Sequence, residues 1–371
     1  MTDERIKQIT MPKWGLSMTT GKVMAWLVNE GDQVSKGDEI VDVDTDKIAG
    51  SVESPVDGTI RRLIGETSED LPVGATLALV ADADVTDAEL DVLVEEIRAA
   101  IAAGTVEAEA GPVAATTVVD GHRISYETLG PDDAAGESIV LVHGYGGDKA
   151  SWLFVEEPLS AGRRVVALDL PGHGASDKEV DGASLDSLAG VVLGLLSELG
   201  IERAHLVGHS LGGAVVAAAA RREPARVASL TLLAPAGASE GVDTDYLRGF
   251  AAAESRRQLK PYVERLFADP AAVTRQIVED LLRYKRIDGV PEALQTMLGI
   301  LLGEDDTSAI DLRGLLAGVD VPVRVVWGSQ DRILPPPADL PWPTTMVESG
   351  HMVHLERPLD VVAAVHKQIG D

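Results

Sequence analysis

The clearest chemical signal in this 371-residue chain is a serine between two glycines, in the pattern Gly208-x-Ser210-x-Gly212. Apolar residues lead into it from Ala204, and a run of small residues, 214–220, follows it. This order predicts a buried strand, a tight turn and a helix, the setting that exposes a nucleophilic serine. The first N–H groups of such a helix have no partner within it, so they face the developing negative charge. We therefore predict that Ser210 is a nucleophile.

The N-terminal part carries a second signal, a lysine within a repeated pattern. Short Val, Ile and Leu segments alternate with Gly-Asp and Asp-Gly turns, as in small antiparallel β structures. The pattern recurs at an offset of 37 residues, so that Gly21 and Gly37 return as Gly58 and Gly74. The repeat predicts two similar half-sheets. A polar turn between them would put Lys47 at an exposed hairpin tip.

Residues 44–47 (Asp-Thr-Asp-Lys) and 51–58 (Ser-Val-Glu-Ser-Pro-Val-Asp-Gly) resemble the lipoyl domains of 2-oxo acid dehydrogenase-type complexes. The resemblance covers nearly all of residues 6–82. It implies an all-β domain, a flattened barrel or sandwich, with lipoic acid amide-linked to Lys47. Biotin carrier domains share this fold but usually have Met-Lys-Met at the lysine, so Asp46-Lys47-Ile48 favours lipoate. A solvated lysine on an ordinary turn is the alternative.

A helix and a linker follow this domain. Thr86 and Glu89 have the spacing of a capping box, and apolar residues run at helical spacing from Leu90 to Ile101. We expect this amphipathic helix to dock on a neighbouring surface. Residues 102–117 are rich in Ala, Gly and Glu, which predicts a mobile linker that keeps the lipoyl arm near sites on the same chain.

The rest of the chain has an α/β pattern. Apolar runs predict an opening hairpin at Asp120-Gly121 and buried strands at 139–142, 165–169, 227–233 and 323–327. Strands that alternate with helices, such as one predicted at 185–199, imply a mostly parallel sheet. Three loop motifs, at 143–147, 169–176 and 208–212, occur in the order and spacing of the α/β-hydrolase superfamily, which residues 116–371 resemble. We therefore divide the chain into a lipoyl domain (1–82), a helix with linker (83–115) and an α/β-hydrolase domain (116–371).

The resemblance to α/β-hydrolases implies the other site residues. In that fold the acid and the histidine follow the serine, so Asp331, just past a predicted strand, is assigned as the acid. His351 follows a glycine, as the catalytic histidine does in the family, and is assigned as the base, with His354 as the alternative. The backbone N–H groups of Leu211 and Tyr145 are expected to form the oxyanion hole.

Supporting elements are expected around these residues. Between about 237 and 318 the β pattern stops and helices are predicted, which in this fold is normally a cap that excludes water from the site. His173 and His209 belong to the loop motifs and are expected to support those loops.

The composition excludes several classes of protein. There are 60 acidic and 32 basic side chains, a net charge of −28 with no basic patch, so we expect no nucleic-acid partner. Without cysteine there is no disulfide and no cysteine nucleophile, and we expect no metal site. No apolar run reaches membrane-spanning length and the N-terminus is polar, so we expect a cytoplasmic protein without membrane contact. A monomer and a homo-oligomer both fit the sequence.

An acyl-carrier arm joined to a serine-triad domain resembles, over nearly the whole chain, the dihydrolipoamide acetyltransferase components of acetoin dehydrogenase complexes. The resemblance implies transfer of an acetyl group from lipoyl-Lys47 to coenzyme A. It also implies three partners: thiamine diphosphate-dependent acetoin dehydrogenase subunits, dihydrolipoamide dehydrogenase and a lipoate-attaching enzyme. Ordinary lipoyl acyltransferases carry His-x-x-x-Asp-Gly near the C-terminus, whereas this chain has His366-Lys-Gln-Ile-Gly-Asp, so transfer here must use the hydrolase fold. The alternatives are a hydrolase of thioesters, esters or C–C bonds, and a carrier with an inactive triad.

Overall fold

The structure, a computed structural model, describes residues 5–12, 18, 20–44, 49–106, 113–132, 136–180, 182–239, 241–303 and 305–370. The chain divides into two units, Met1–Pro112 and Val113–Asp371. Of the helices in the described ranges, none has both the length and the apolar character needed to cross a lipid bilayer.

The strands of the first unit form two four-stranded antiparallel sheets. They are β1 (Ile6–Thr10), β2 (Thr20–Trp26), β3 (Gln33–Val34), β4 (Glu39–Asp44), β5 (Ala49–Glu53), β6 (Gly58–Leu63), β7 (Asp70–Pro72) and β8 (Thr76–Ala81). One sheet has the order β1-β8-β6-β3 and the other β5-β4-β2-β7. Strands related by the sequence repeat, such as β4 and β8, hold equivalent positions, and their repeated residues Ile40 and Leu77 are both fully buried. The predicted pair of similar half-sheets is confirmed.

Strands β4 and β5 form the hairpin to which the sequence assigns the carrier lysine. Their antiparallel pairing extends to Asp44 and Ala49, so only residues 45–48 connect the paired ends. Lys47 is one of these four and lies outside the described residues.

A helix, α1 (Asp87–Ala103), packs on the sheet that contains β6 and β8. Its capping box is present, because Thr86 Oγ1 accepts from the N–H of Glu89 and the Glu89 carboxylate accepts from the N–H of Thr86. Leu90 and Val94 are buried against this sheet. The predicted helix is confirmed, and the surface on which it docks belongs to the first unit.

The second unit has an eight-stranded sheet with the order β16-β15-β14-β13-β11-β12-β10-β9. Its strands are β9 (Val113–Val119), β10 (His122–Leu129), β11 (Ser138–Val142), β12 (Val165–Leu168), β13 (Ala204–His209), β14 (Val227–Leu233), β15 (Val323–Gly328) and β16 (Thr344–Val347). Neighbours from β12 through β16 pair in parallel, whereas β10 is antiparallel to β9 and β12. The predicted hairpin and mostly parallel sheet are confirmed.

Helices connect these strands and add a group between β14 and β15. They are α2 (Leu153–Ser160), α3 (Leu185–Glu198), α4 (Leu211–Arg222), α5 (Thr244–Ala252), α6 (Arg256–Arg265), α7 (Arg275–Lys285), α8 (Val290–Leu301), α9 (Leu312–Leu316), α10 (Val353–Glu356) and α11 (Pro358–Ile369). Residues of α5 to α8 bury apolar side chains in the core of the second unit. We call α5 to α8 and the chain between them the cap.

Strand β9 begins at Val113, inside the segment that the sequence predicted as linker. It pairs with β10 from Val113, opposite Thr128, to Val119, opposite His122. β9 is an edge strand, and its Val113 and Val118 are 61% and 60% exposed. Its sequence, rich in Ala and Thr, also lacks the apolar alternation that identifies half-buried strands. For this reason the first part of the strand was predicted as linker.

Two carboxyl groups meet inside the second unit, from Glu127 on β10 and Glu156 on α2, and both side chains are buried. Burial raises the pKa of both carboxyl groups, and the neighbouring Glu127 raises that of Glu156 further, well above its ordinary value. The charge of Lys149 opposes both shifts. The charges of Asp169 and Asp148 add to the rise for Glu127. The folded chain thus binds a proton that the unfolded chain releases near pH 4.5.

This proton taken alone should make the free energy of unfolding fall as the pH rises above about 4.5, because the folded state retains it and the unfolded state releases it. We expect Glu156→Gln to remove this part of the fall, which urea unfolding at pH 5.5 and pH 8.5 would measure. Equal pH slopes for the variant and the wild type would contradict the proton assignment.

Candidate active site

Ser210 occupies the sharp turn between β13 and α4. Its backbone has φ 52° and ψ −116°, a conformation that costs about 1–3 kcal/mol for a residue with a side chain. The flanking glycines are required by space: a Cβ on Gly208 would lie 2.4 Å from the carbonyl oxygen of Gly212, and one on Gly212 would lie 2.1 Å from that of Val142. The turn predicted from the sequence is therefore present, with the serine at its tip.

Asp331 and His351 form a hydrogen-bonded pair beyond the ends of β15 and β16. His351 Nδ1 donates to Asp331 Oδ2 at 2.8 Å, and both side chains are buried. The other carboxylate oxygen, Oδ1, accepts from the N–H groups of Ile333 (2.9 Å) and Leu334 (3.0 Å). The carboxylate is thus fixed on both sides, and it holds the imidazole in the tautomer that leaves Nε2 available as a base.

His209 connects this pair to the serine. Its Nε2 donates to the backbone carbonyl of His351 at 2.9 Å, and the two rings lie 4.7 Å apart between centroids. Burial lowers the pKa of His209 well below its ordinary value, so the ring is neutral. Among the described residues, Ser210 Oγ makes no hydrogen bond to His351. Catalytic hydrogen bonds of this kind often tighten only when substrate binds.

The two backbone groups assigned to the oxyanion hole come from two separate segments of the chain. Leu211 is the first residue of α4, so its N–H has no acceptor within the helix. Tyr145 lies in the loop after β11, and its ring is buried beneath the cap. In the described part of the chain, the N–H of Tyr145 makes no backbone hydrogen bond, whereas the N–H of Gly146 donates to His173.

Two buried histidines join the loop after β11 to the loop after β12 by hydrogen bonds. His143 Nε2 accepts from the N–H of Leu170 (3.0 Å), and His173 Nε2 accepts from the N–H of Gly146 (3.2 Å). In each ring Nδ1 donates to a carbonyl of its own loop, which leaves Nε2 as the acceptor. Burial lowers the pKa of both rings, that of His173 to about 3. Each loop thus supplies a neutral histidine that holds the other loop, which agrees with the loop-supporting role expected of His173.

An ion pair beneath these loops was missed by the sequence analysis. Lys149 Nζ donates to Asp169 Oδ2 at 2.7 Å, and the aspartate side chain is fully buried. Burial acts to raise the pKa of Asp169, but the Lys149 charge and the hydrogen bonds from Lys149 and Ala175 hold it below its ordinary value. Asp169 also accepts from the N–H groups of Lys149 and Ala175. Lys149 belongs to no motif, so only the charge of Asp169 at a strand end could have suggested a buried partner.

The cap contacts both loops. Tyr145 Oη donates to the carbonyl of Leu294 on α8 (3.2 Å), and Phe250 on α5 packs against the Tyr145 ring at 5.9 Å. Tyr284 on α7 donates to the carbonyl of Gly172 (3.0 Å). Apolar and aromatic cap residues therefore cover the loop that carries one proposed oxyanion donor, which excludes water from that side.

His354, the alternative base, lies in a different environment from His351. Its ring is fully buried, 4.5 Å from the Trp152 ring and 4.6 Å from the His209 ring. Neither of its ring nitrogens has a hydrogen-bond partner among the described residues, and burial lowers its pKa to about 3. Of the two histidines, His351 is the one that hydrogen-bonds to Asp331. The geometry therefore supports the choice of His351 and gives His354 a packing position.

We expect His354→Phe to retain activity and to raise the free energy of unfolding by about 1 kcal/mol, because it removes two buried polar atoms that have no hydrogen-bond partner in the described part of the chain. Hydrolysis of a small acetyl ester and urea unfolding would measure the two effects. His351→Phe is the matched control and should be inactive. If the two variants lose activity equally, the base is not uniquely His351.

Comparison with known proteins agrees with these two units. Residues 137–358 match the family model of the alpha/beta hydrolase fold, and residues 7–80 match that of biotin-requiring enzymes, a model that covers biotinyl and lipoyl domains. The second match and the first unit's sheets identify a domain of the lipoyl type.

Relatives match both units together. The chain is 47% identical over 357 residues to the dihydrolipoyllysine-residue acetyltransferase component of the acetoin cleaving system of Pseudomonas putida, covering 95% of each chain. It is 45% identical over 368 residues to the protein of the same name from Cupriavidus necator, covering 98% of this chain and 97% of the relative. Among solved structures, the enol-lactonase of Burkholderia xenovorans superposes with a TM-score of 0.59 at 25% identity, over 69% of this chain and all of the lactonase.

Proposed function

Because this chain belongs to the family of dihydrolipoyllysine-residue acetyltransferase components of acetoin cleaving systems, we propose that it passes an acetyl group from a lipoyl group on Lys47 to coenzyme A. Ser210, His351 and Asp331 are the catalytic residues of this proposal. The observation that most directly supports the proposal is the His351–Asp331 hydrogen bond of 2.8 Å. The same chain contains the strained Ser210 and a lipoyl-type domain.

The surroundings of Lys47 fit a lipoyl group. Pairing of β4 with β5 extends to Asp44 and Ala49, so a short connection between two firmly paired strands carries the lysine. Lipoate bound there supplies a thiol that carries the acetyl group as a thioester. We propose that residues 1–82 are this carrier domain, that the helix and linker predicted at 83–115 end where strand β9 begins at Val113, and that the chain from there to residue 371 forms the catalytic domain with its cap at about 237–318.

The chain's own residues can perform the transfer in two steps. His351 Nε2 takes the proton of Ser210 Oγ as the oxygen attacks the carbonyl carbon of an acetyl thioester. The N–H groups of Leu211 and Tyr145 donate to the oxyanion that forms. When the C–S bond breaks, His351 returns the proton to the departing thiol and Ser210 is left acetylated.

The second step reverses these roles with coenzyme A as the co-substrate. His351 takes the proton of its thiol, the sulfur forms a C–S bond to the acetyl group, and Ser210 Oγ leaves with the proton. Asp331 stabilises the imidazolium in both steps, because its carboxylate is already bonded to Nδ1. Water is the competing acceptor, and the cap above Tyr145 limits its access.

Product analysis tests this function against the hydrolase alternative. The lipoylated chain is given acetyl-dihydrolipoamide with and without coenzyme A. A transferase forms acetyl-coenzyme A and consumes the donor much more slowly without coenzyme A. Acetate released at the same rate in both cases would support a hydrolase. Intact mass of the wild type and of Lys47→Arg checks the carrier, since only the wild type should show a lipoyl increment.

A component of a cleaving system acts with other subunits. We propose the three partners that its chemistry requires: thiamine diphosphate-dependent acetoin dehydrogenase subunits that load the acetyl group, dihydrolipoamide dehydrogenase that reoxidises the dithiol, and an enzyme that attaches lipoate to Lys47. The net charge of −28 favours contact surfaces of opposite sign on these partners.

A further inference from the structure

Glu356, at the end of α10, is half-buried behind the loop that carries His351 and has no part in the steps above. Its two carboxylate oxygens accept from two different segments of the chain. Oε2 accepts from the N–H of Gly350 at 2.8 Å, and Oε1 accepts from the N–H of Ala268 at 2.8 Å. Gly350 precedes His351, whereas Ala268 lies in the cap, after α6. One carboxylate therefore joins the histidine loop to the cap.

Backbone contacts join the same two segments. The carbonyl of Leu266 accepts from the N–H groups of His351 (2.7 Å) and Met352 (3.2 Å). The cap runs so close to Gly350 that a Cβ there would lie 2.6 Å from the Leu266 oxygen. We call these contacts, together with the two bonds of Glu356, the clasp. His351 is thus held by the clasp at its backbone and by Asp331 at its ring.

A carboxylate suits this position. Bonds from backbone N–H groups to an ionised acceptor are roughly twice as strong as neutral ones. Burial raises the pKa of Glu356 and Asp331 adds to the rise, while the two N–H bonds and the Arg357 charge act against it. Among the described residues, both hydrogen bonds to the Glu356 carboxylate come from backbone N–H groups, and no side chain donates to it.

We propose that Glu356 is a positioning residue that holds the cap against the His351 loop and thereby sets how acetyl-Ser210 divides between a thiol and water. The proposal rests on the proposed function. If the clasp is broken, the cap segment can separate from the loop, which admits water and loosens the base at the same time.

The test compares four variants of the lipoylated chain, with acetyl-dihydrolipoamide as donor and coenzyme A as acceptor, and quantifies acetyl-coenzyme A and acetate. We expect Glu356→Ala to lower the transfer rate about tenfold and to raise the acetate share several-fold, as loss of a positioning contact should. Glu356→Gln keeps one carbonyl acceptor and should recover part of both effects. Glu348→Gln, whose side chain is 83% exposed on the same loop, is the matched control and should behave as the wild type.

The fourth variant, Gly350→Ala, disrupts the clasp without changing charge, because its Cβ would lie 2.6 Å from the Leu266 carbonyl oxygen. It should shift the product ratio in the same direction, and with Glu356→Gln it provides the test if Glu356→Ala does not fold. An acetate share within twofold of the wild type in the folded Glu356→Ala and Gly350→Ala variants overturns the proposal. If the wild type itself makes no acetyl-coenzyme A, the proposed function fails, and the clasp is judged by acetyl ester hydrolysis. There Glu356→Ala should lower kcat more than it changes KM, and an unchanged kcat overturns it.

Discussion

Ser210→Ala should lower kcat for acetyl transfer by about 10⁶-fold, because the nucleophile and the proton that His351 moves are both lost. The substitution removes one oxygen at the tip of a turn whose shape is set by Gly208 and Gly212. The fold and the oxyanion donors should therefore remain intact. Acetyl-coenzyme A formation by the lipoylated chain measures the loss.

The same preparation provides its own control. Lys47 is modified by a separate enzyme in the proposed system, so Ser210→Ala should still show the lipoyl increment in its intact mass. Ser160→Ala, at a partly exposed serine at the end of α2, should leave transfer unchanged. Transfer by Ser210→Ala within tenfold of the wild type would remove Ser210 from the mechanism and favour direct attack by the coenzyme A thiol.

Asp331→Asn should lower kcat by about 10⁴-fold, through the tautomer of His351. Asp331 Oδ1 accepts from two backbone N–H groups, those of Ile333 and Leu334, so the oxygen of an asparagine would remain on that side. The amide NH₂ would then face His351 Nδ1, which must become an acceptor. The ring proton moves to Nε2, and the base can no longer accept the proton of Ser210.

Substrate binding should change little in this variant, since Asp331 lies behind the histidine. We expect the effect in kcat and in the labelling rate of Ser210 by an esterase probe, with KM nearly constant. Asp320→Asn, at an exposed position, controls for the loss of one charge. A kcat within tenfold of the wild type would indicate that Asp331 only anchors the loop at Ile333.

Several site elements were predictable because local rules determine them. Glycines on either side of Ser210 are required by backbone contacts that no side chain permits, and such contacts leave a motif in the sequence. The repeat at 37 residues likewise follows from two half-sheets that bury equivalent positions, such as Ile40 and Leu77. Asp331 and His351 needed the family resemblance, because a lone aspartate or histidine after a strand has many possible roles.

Other features depend on contacts between distant segments and were not predictable. Glu356 lies 88 residues from Ala268, and His143 lies 27 from Leu170. Each bonds to a backbone N–H, which every residue except proline offers, so no residue type marks the partner. The first part of strand β9, residues 113–117, falls within the predicted linker because its exposed, Ala- and Thr-rich sequence resembles coil. Its pairing with β10 is the long-range information that the segment lacks.

The left-handed backbone of Ser210 makes this proposed nucleophile a site where stability and catalysis compete. A glycine would adopt φ 52° without strain, whereas serine loses about 1–3 kcal/mol there, a sizeable part of the net stability of a typical domain. Selection for stability alone would therefore replace this serine, and only selection for catalysis retains it. Serine at position 210, in so unfavourable a conformation, is accordingly a better indicator of an active enzyme than any well-packed residue of the core.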